Sequence, residues 1–195
     1  MEREVIVTGI GGQGIQLMAK VLAHAASRIG QQVMLFGVYQ GMMRGGPSES
    51  TVVIGDEEIQ APPIIPHAWS VLAMHPTGLP ELTKKLRPEG LLLVNSTLVQ
   101  HTPRDDVRLL TIPATRMAEQ AGNIMGAGMI ALGAFCAATG LVPHEAVVAA
   151  MRDALPPHRQ HLAAMNVQFL NQGAEFIQHG PGTHGSASAS DVAAQ

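Results

Sequence analysis

The chain has 195 residues, a length that suits a single domain with a buried core. Its formal net charge is −3, and its 12 lysine and arginine residues form no basic block, which argues against a nucleic-acid-binding protein. Charged residues make up only 14% of the chain and apolar residues 46%, so we expect part of the surface to be covered by partner proteins. No signal peptide opens the chain and no apolar stretch is long enough to span a membrane, so we expect a cytoplasmic protein.

The first strand and the turn after it dominate the beginning of the chain. Residues 5–7 form an apolar β-branched run, and four glycines follow within six positions. Residues 15–29 then carry apolar side chains at helical spacing. Gly9, Gly11 and Gly14 match the G-x-G-x-x-G nucleotide-binding pattern. In that pattern the new helix directs unpaired N–H groups and its positive dipole end towards an anionic ligand.

A second glycine-rich stretch follows the second predicted strand, at residues 32–36. The strand, helix and strand predict a β-α-β unit, with parallel strands and a right-handed crossover. Residues 37–48 contain four glycines and a proline, which predicts a shaped loop. The loop leaves the carboxyl end of the second strand, so it should lie on the same sheet edge as the first glycine turn. It carries Arg44, a candidate anion-binding residue, and Tyr39, the only tyrosine.

After this loop, the predicted strands are followed by helices, and the last part of the chain is predicted to contain helices alone. Further strands are predicted at residues 49–54, 70–74, 90–95 and 107–112. Residues 58–60 are predicted to return as a short hairpin arm after a turn, and residues 61–66 form a proline-rich extended connector. Helices are predicted at residues 77–86, 113–121, 129–139, 145–155 and 161–178.

This order predicts an α/β fold of Rossmann-like type, with a mostly parallel sheet flanked by helices and a helical C-terminal part. One domain is expected over residues 1–179. Residues 180–195 are rich in Gly, Ser and Ala with almost no large apolar residue, so we expect a disordered tail.

The second strand lacks the acidic residue that a dinucleotide site uses to bind ribose hydroxyls. The nearest acidic residue downstream is Glu49, beyond the loop. This absence disfavours bound NAD or FAD. Two alternatives remain for the glycine turn, namely a Rossmann-like turn packed without a ligand, or a contact with an anion that is shared with a partner chain.

The sequence offers no self-sufficient catalytic set. The only cysteine, Cys136, lies in an apolar run that predicts a buried, inert thiol. One cysteine cannot hold a four-cysteine iron–sulfur cluster, so any such cluster must lie on another chain. His158 and His161 are three apart and could share a metal, but without accompanying carboxylates a solvated polar face is favoured.

Arg44 allows two interpretations. It could be a surface arginine that caps a helix or pairs with Glu49, and such a pair would contribute little. It could instead clamp a phosphate or carboxylate, or anchor an interface, because arginine is favoured in both roles.

Two motifs together resemble a known family. Residues 9–14 (GIGGQG) and residues 39–48 (YQGMMRGGPS) resemble the γ subunit of the 2-oxoacid:ferredoxin oxidoreductases, which include enzymes for pyruvate, 2-ketoisovalerate, 2-oxoglutarate, indolepyruvate and phenylglyoxylate. Residues 95–97, residues 123–125 with Gly128, and the late helix around residues 166–173 are similar as well. The resemblance covers roughly residues 3–178, and Gln40 and Met43 depart from the usual pattern.

The resemblance implies an activity for the complex and a supporting role for this chain. Enzymes of this family decarboxylate a 2-oxoacid on thiamine diphosphate, usually form an acyl-CoA, and pass electrons through [4Fe–4S] clusters to ferredoxin or a similar acceptor. Thiamine diphosphate, Mg²⁺ and the clusters are expected on α, β and ferredoxin-like δ subunits. The γ chain is expected to pack beside the thiamine site, with no cofactor, metal or catalytic residue of its own, and to be inactive in isolation.

With this resemblance, the glycine turn and the arginine loop become candidate contacts for CoA or another anion. The candidate residues are Gly9, Gly11, Gly12, Gln13, Gly14 and Arg44. Two other functions stay open at this point. One is a free-standing NAD(P)-binding oxidoreductase, and the other is a regulatory scaffold whose nucleotide pattern is empty.

Overall fold

The computed structural model describes residues 1–39, 45–60, 65–100 and 104–180. Within these residues, six strands form one sheet in the order β2-β3-β1-β4-β5-β6. The strands are β1 (Glu2–Ile10), β2 (Gln32–Tyr39), β3 (Pro47–Gly55), β4 (Ala68–Ala73), β5 (Leu86–Asn95) and β6 (Arg108–Ile112). The helices are α1 (Ile15–Arg28), α2 (Leu79–Lys85), α3 (Ala114–Gln120), α4 (Ala127–Thr139), α5 (His144–Ala154) and α6 (Ala163–His179).

The sheet is mostly parallel, as predicted, with one antiparallel strand. The pairs β1–β4, β4–β5 and β5–β6 are parallel, whereas β3 pairs antiparallel with both β1 and β2. β2 therefore runs in the direction of β1 but does not lie next to it, which corrects the simple β-α-β unit. Because the connection from β2 to β3 is short, the chain returns antiparallel and fills the position between β1 and β2.

The hairpin predicted after β3 is wrong. Residues 58–60 form no strand, and the hairpin of this region is β2–β3. Both sides of β3 are already occupied, since Gly55 pairs with Glu2 on one side and with Gln32 on the other. No unpaired edge is left for residues 58–60, and the backbone N–H of Gln60 donates instead to the Glu2 carboxylate.

Several element boundaries also differ from the predictions. The predicted helix at residues 77–86 is shorter, and β5 begins directly after it at Leu86, whose extended backbone ends the helix. The predicted last helix divides into a 3-10 segment, Pro157–Leu162, and α6. Residues 61–64 of the predicted connector and residues 181–195 of the predicted tail lie outside the described residues.

The core has two parts, one on each face of the sheet. Helices α1, α3, α4 and α5 and part of α6 cover the first face and supply most of its buried apolar residues. The second face is covered more thinly, by α2 and residues near Ile59 and Ile65. None of the helices in the described part of the chain is long and apolar enough to cross a membrane.

The C-terminal part is helical, as predicted, and it is held by a close helix crossing. A Cβ atom on Gly133 of α4 would lie 2.0 Å from the carbonyl oxygen of Leu170 in α6. One on Gly173 would lie 1.9 Å from the carbonyl oxygen of Ile130. Only glycine permits this backbone approach. The crossing fixes α6 against α4, and with it the segment that precedes α4.

Candidate interaction site at the carboxyl edge of the sheet

The glycine turn joins the carboxyl end of β1 to α1. Gly12 has φ of 98° and Gly14, the residue that caps α1, has φ of 74°. Both values lie in the left-handed region, which side chains other than glycine rarely adopt. A Cβ atom at either position would meet no described residue within 4 Å. These two glycines are therefore required by the backbone conformation.

The two glycine-rich stretches touch, in agreement with their predicted location on one sheet edge. The N–H of Gly11 donates to the carbonyl oxygen of Gly46 over 2.9 Å. A Cβ atom on Gly11 would lie 3.0 Å from the backbone nitrogen of Gly45. Arg44, the residue for which an anion contact is predicted, lies outside the described residues, as do residues 40–43.

Gln13 braces the turn from within. Its Oε1 accepts a hydrogen bond from the N–H of Ile10 over 3.0 Å, and its Nε2 donates to the carbonyl oxygen of Met74 over 3.2 Å. A Cβ atom on Gly9 would lie 2.5 Å from Gln13 Oε1, so Gly9 provides the space that this amide occupies. The amide of Gln13 thus ties the end of β1 to the end of β4.

A second amide, which is fully buried, continues this brace. Asn95, at the end of β5, has no exposed surface. Its Nδ2 donates to Thr115 Oγ1 over 2.8 Å and to the carbonyl oxygen of Met74 over 3.3 Å. Its Oδ1 accepts from the N–H of Thr115 over 3.2 Å. Asn95 therefore joins β4, β5 and the start of α3, and the Met74 carbonyl accepts from both Asn95 and Gln13.

A histidine lies at the same edge, just after β4, where the sequence showed only one of nine scattered histidines. His75 Nδ1 lies 2.8 Å from Thr77 Oγ1, and the N–H of Thr77 donates to the same nitrogen. Because Nδ1 accepts a backbone hydrogen bond, the neutral ring carries its proton on Nε2. His75 thus presents a donor at the carboxyl edge, and no sequence signal distinguished it from the other histidines.

The segment before α4 lies beside the glycine turn. A Cβ atom on Gly128 would lie 2.9 Å from the carbonyl oxygen of Gln13, so the start of α4 packs directly on the turn. Residues 124–126 form one turn of 3-10 helix, in which the Asn123 side chain accepts from the N–H of Met125. Gly126 packs against the ring of Phe169, where a Cβ atom would clash.

This packing leaves large apolar side chains in the solvent. Ile124 is 53% exposed, Met125 63% and Met165, on α6, 38%. Asn123 Nδ2 lies 3.0 Å from the sulfur of Met165, which places the three side chains in one area. We call Ile124, Met125 and Met165 the apolar rim. Contiguous exposed apolar side chains usually mark a surface that binds another molecule.

The structure also argues against a dinucleotide site. In a dinucleotide-binding fold, β1 and β2 are neighbours and the cofactor lies across their ends. Here β3 lies between them, and the strand carries Glu49 opposite Thr8. The N–H of Gly11 donates to the carbonyl oxygen of Gly46, which lies just before β3, so this N–H is not available to a cofactor. The free-standing NAD(P) oxidoreductase is therefore not favoured.

The other reactive groups named by the sequence lie elsewhere and are not brought together. Cys136 is 2% exposed, and burial raises the pKa of its thiol to about 12, which keeps the thiol protonated and unreactive at neutral pH. His158 and His161 are exposed on the 3-10 segment before α6. Among the described residues, no three His, Cys, Asp or Glu side chains are grouped to hold a metal ion.

Comparisons with known proteins identify the family. Residues 4–176 match the family model described as pyruvate ferredoxin/flavodoxin oxidoreductase. The chain is 32% identical over 188 residues to the 2-oxoglutarate synthase subunit KorC of Methanothermobacter thermautotrophicus, an alignment that covers 92% of this chain and 97% of that one.

Solved structures show the same fold. The γ subunit of a keto/oxoacid ferredoxin oxidoreductase from Geobacter sulfurreducens is 29% identical, with a TM-score of 0.77 over 91% of this chain and 97% of that one. The pyruvate oxidoreductase subunit PORC from Thermotoga maritima is 27% identical, with a TM-score of 0.73 over 89% of this chain and 96% of that one. The chain belongs to the pyruvate ferredoxin/flavodoxin oxidoreductase family.

Proposed function

We propose that this chain, a γ subunit of a 2-oxoacid:ferredoxin oxidoreductase complex, presents the carboxyl edge of its sheet to the subunit that holds thiamine diphosphate. The observation that carries the proposal is the apolar rim beside the glycine turn. Met125 exposes 63% of its surface although it lies in a segment braced from both sides. A rigid, exposed apolar segment has the properties of an interface anchor.

Hydrogen bonding at this edge supports a protein contact in preference to a catalytic role. The amides of Gln13 and Asn95 are both used within the fold. They hold the strand ends rigid and leave few polar groups for chemistry on a substrate. Rigid surfaces lose little conformational freedom on association, which favours stable assembly.

The described residues do not fit the inorganic cofactors of such a complex. Cys136 is buried with its thiol protonated, and among the described side chains no group of three metal-binding residues is present. A four-thiolate cluster cannot be built from one cysteine. We therefore assign thiamine diphosphate, Mg²⁺ and the [4Fe–4S] clusters to the other subunits, with ferredoxin as the electron acceptor.

The glycine turn fits a phosphate-bearing molecule better than it fits a catalytic group. Its Gly11 and Gln13 N–H groups donate within the fold, to Gly46 and Ile10. Contacts to an anion would then come from Gly12, Gly14 and the first turn of α1, a helix N-terminus without an acidic residue. Gly9 shapes the turn from below, and Arg44 would supply the charge. CoA, which carries phosphates, is the proposed anion.

The subunit proposal is tested by omission. The complex is purified with and without this chain, and turnover of 2-oxoacids is measured with ferredoxin. We expect turnover to be lost without this chain and restored when the purified chain is added back. A stable complex that keeps full turnover without it would reject the proposal. If turnover persists without this chain but its regulation changes, the result would support the regulatory scaffold instead.

The CoA contact is tested separately. Replacement of Arg44 by Ala should raise the KM for CoA about tenfold or more, because a charge-assisted contact to phosphate is lost. Arg44→Lys should keep part of this contact and therefore raise the KM for CoA less than Arg44→Ala does. Arg108→Ala is the matched control, since Arg108 is exposed at the start of β6 on the opposite edge. An unchanged KM for CoA in Arg44→Ala would reject this contact while leaving the subunit assignment intact.

A further inference from the structure

The outermost strand on one side of the sheet, β2, has backbone groups that face no other strand. β2 is the first strand in the sheet order, and among the described residues its only strand neighbour is β3. The two strands pair along all eight residues of β2 without a shift of register. The N–H and C=O groups of β2 that point away from β3 can therefore pair with a further strand. We call this row of backbone groups the free side of β2.

The free side of β2 lacks the features that usually prevent strand pairing. Natural proteins protect the outermost strands of a sheet by short length, charged residues, prolines or bulges. Residues 32–37 (QVMLFG) contain no charged residue and no proline, and their pairing with β3 shows no bulge. The outermost strand on the other side, β6, is protected, because it has only five residues, starts with the exposed Arg108 and is followed by Pro113. Of the two outermost strands, β2 is the one suited to pairing.

β2 also exposes apolar surface on both of its faces. Leu35, in the middle of the strand, is 44% exposed, and Val33, Met34 and Phe36 are half-buried. Val33 packs on the core beneath α1, whereas Met34 packs on the core of the opposite face. Because side chains alternate along a strand, Leu35 lies on the face of Val33. Phe36 lies on the face of Met34 for the same reason. A further strand beside β2 would cover apolar side chains on each face.

An antiparallel second copy of β2 fits this free side. A two-fold axis through Leu35, perpendicular to the sheet, places Leu35 beside its own copy. The axis sets Val33 opposite Gly37, which presents no Cβ atom to the branched valine. It also sets Met34 opposite Phe36, a favourable contact of sulfur with an aromatic ring. An axis through a residue keeps outward-facing backbone groups opposite each other, as an antiparallel pair requires. Since residues 32–37 are uncharged, no like charges meet, and the strand is complementary to itself.

This pairing leaves the carboxyl edge of each copy accessible. In an antiparallel pair the two strands run in opposite directions, so the carboxyl edges of the two copies lie at opposite ends of the joined sheet. The apolar rim lies on the segment before α4 and on α6, and not on β2. A two-fold interface uses the same surface of both copies, so it closes as a dimer and does not extend into a fibre.

We propose that two copies of this chain associate through β2, so that their six-stranded sheets form one continuous sheet across a two-fold axis at Leu35. Backbone hydrogen bonds along residues 32–37 supply the directional part of the contact, and the apolar side chains of both faces supply the buried surface. A single pair of strands lies at the low end of interface sizes, so we expect an affinity in the micromolar range. The pairing does not depend on the subunit role proposed above.

The test is the mass of the full chain in solution, measured by sedimentation at about 100 μM, where an interface of micromolar affinity is saturated. We expect twice the 20.5 kDa of one chain. Leu35→Lys places two like charges side by side at the axis and should weaken dimerisation about tenfold or more. Leu98→Lys is the matched control, since Leu98 is 43% exposed but follows β5 on the carboxyl edge. A monomer at this concentration, or a dimer that Leu35→Lys leaves intact, would overturn the proposal.

Cross-linking tests the position of the axis. The Cβ atoms of directly opposite residues lie about 5 Å apart, so a short bismaleimide should join two copies of the Leu35→Cys variant covalently. Leu98→Cys should stay unlinked, and the native Cys136 is 2% exposed and should not react. A Leu35→Cys dimer that cannot be cross-linked would overturn this register. If the chain alone is monomeric and Leu35→Lys instead prevents binding of the partner subunits, the free side pairs with a segment of a partner and the second copy is rejected.

Discussion

The two edges of the sheet differ in how their polar side chains are hydrogen-bonded. At the carboxyl end, the half-buried amide of Gln13 and the buried amide of Asn95 are hydrogen-bonded within the fold, and the exposed side chains of the rim are apolar. At the amino end, the buried carboxylate of Glu4 keeps one oxygen without a partner among the described residues, and a cavity opens beside it.

The two edges also differ in the side chains that they expose to the solvent. Polar groups that are satisfied internally give rigidity, and exposed apolar side chains on a rigid edge favour association with another protein. The amino edge instead exposes part of a charged side chain, because the side chain of Arg87 is 43% exposed while it pairs with Glu4. The exposed apolar side chains therefore give the carboxyl edge, and not the amino edge, the properties of a protein-binding surface.

The largest expected effect comes from the apolar rim. Replacement of Ile124 and Met125 by Asp should weaken association with the partner subunits by about 1,000-fold or more, because interface anchors contribute about 2–4 kcal/mol each. The binding constant of the purified chain for the rest of the complex measures this loss. Ile29→Asp is the control, since Ile29 is 43% exposed at the end of α1, on the amino edge. An equal loss of binding in the rim variant and in Ile29→Asp would show that the carboxyl edge is not the preferred binding surface.

The next effect concerns the brace beneath the rim. Asn95→Ala removes the hydrogen bonds to Thr115 and Met74 in a site with no exposed surface. We expect the free energy of unfolding to fall by about 3 kcal/mol, measured by denaturant titration. Asn166→Ala, at a half-buried position on α6, should cost less than about 1 kcal/mol. A small loss for Asn95→Ala would show that the carboxyl edge is less rigid than its hydrogen bonds indicate.

A third prediction uses Cys136, which belongs to neither edge. The folded thiol has its pKa raised to about 12 by burial, whereas the ordinary value is 9.0. Below pH 9 both states keep the proton, so this contribution to stability is fully present. Above it the unfolded thiol ionises first, and stability falls by about 1.4 kcal/mol per pH unit until the folded pKa is reached.

This slope is measured as a difference between proteins. Unfolding free energies from pH 8 to pH 11 are compared for the native sequence and Cys136→Ala, so that the titration of lysines cancels. The variant should lose less stability over this range. Parallel curves for the two proteins would contradict the buried, protonated thiol.

The smallest effect is expected at an exposed pair on the amino edge. The hydrogen bonds from Arg104 hold the pKa of the Asp106 carboxyl below its usual value of 3.8. Its contribution to stability is present above that value and is lost as the pH falls through the lowered pKa. Because the pair is exposed, Asp106→Asn should leave the melting temperature almost unchanged at pH 7. An NMR titration of the Asp106 carboxyl checks the shift, which Arg104→Met should remove.

Much of the carboxyl edge could be predicted from the sequence. The G-x-G-x-x-G pattern predicts a tight turn, because backbone conformations such as those of Gly12 and Gly14 exclude most side chains. The glycine-rich loop was predicted on the same edge, and the hydrogen bond from Gly11 to Gly46 confirms it. The buried state of Cys136 was also predicted, from the apolar run around it.

The strand order could not be predicted in the same way. Periodicity shows that residues 49–54 form a strand, but it does not show which strands are its neighbours. β3 lies between β1 and β2 because of its backbone pairing, which is a contact between distant residues. The position of β3 leaves no pairing edge for the hairpin predicted at residues 58–60, and it adds to the sequence argument against a dinucleotide site.

The sequence by itself determined the local features of this protein: the turn that requires glycine, the apolar runs that form the core, and a single cysteine, which is too few for four thiolate ligands. Only the tertiary structure decided how polar side chains are used. Gln13 is a candidate ligand contact in the sequence, and only the structure shows that its side chain also braces the turn through the carbonyl of Met74. No sequence pattern distinguished Glu4 from the other charged residues. Folding brings it beside Arg87, which lies 83 positions away along the chain, and gives the amino edge its charged cavity.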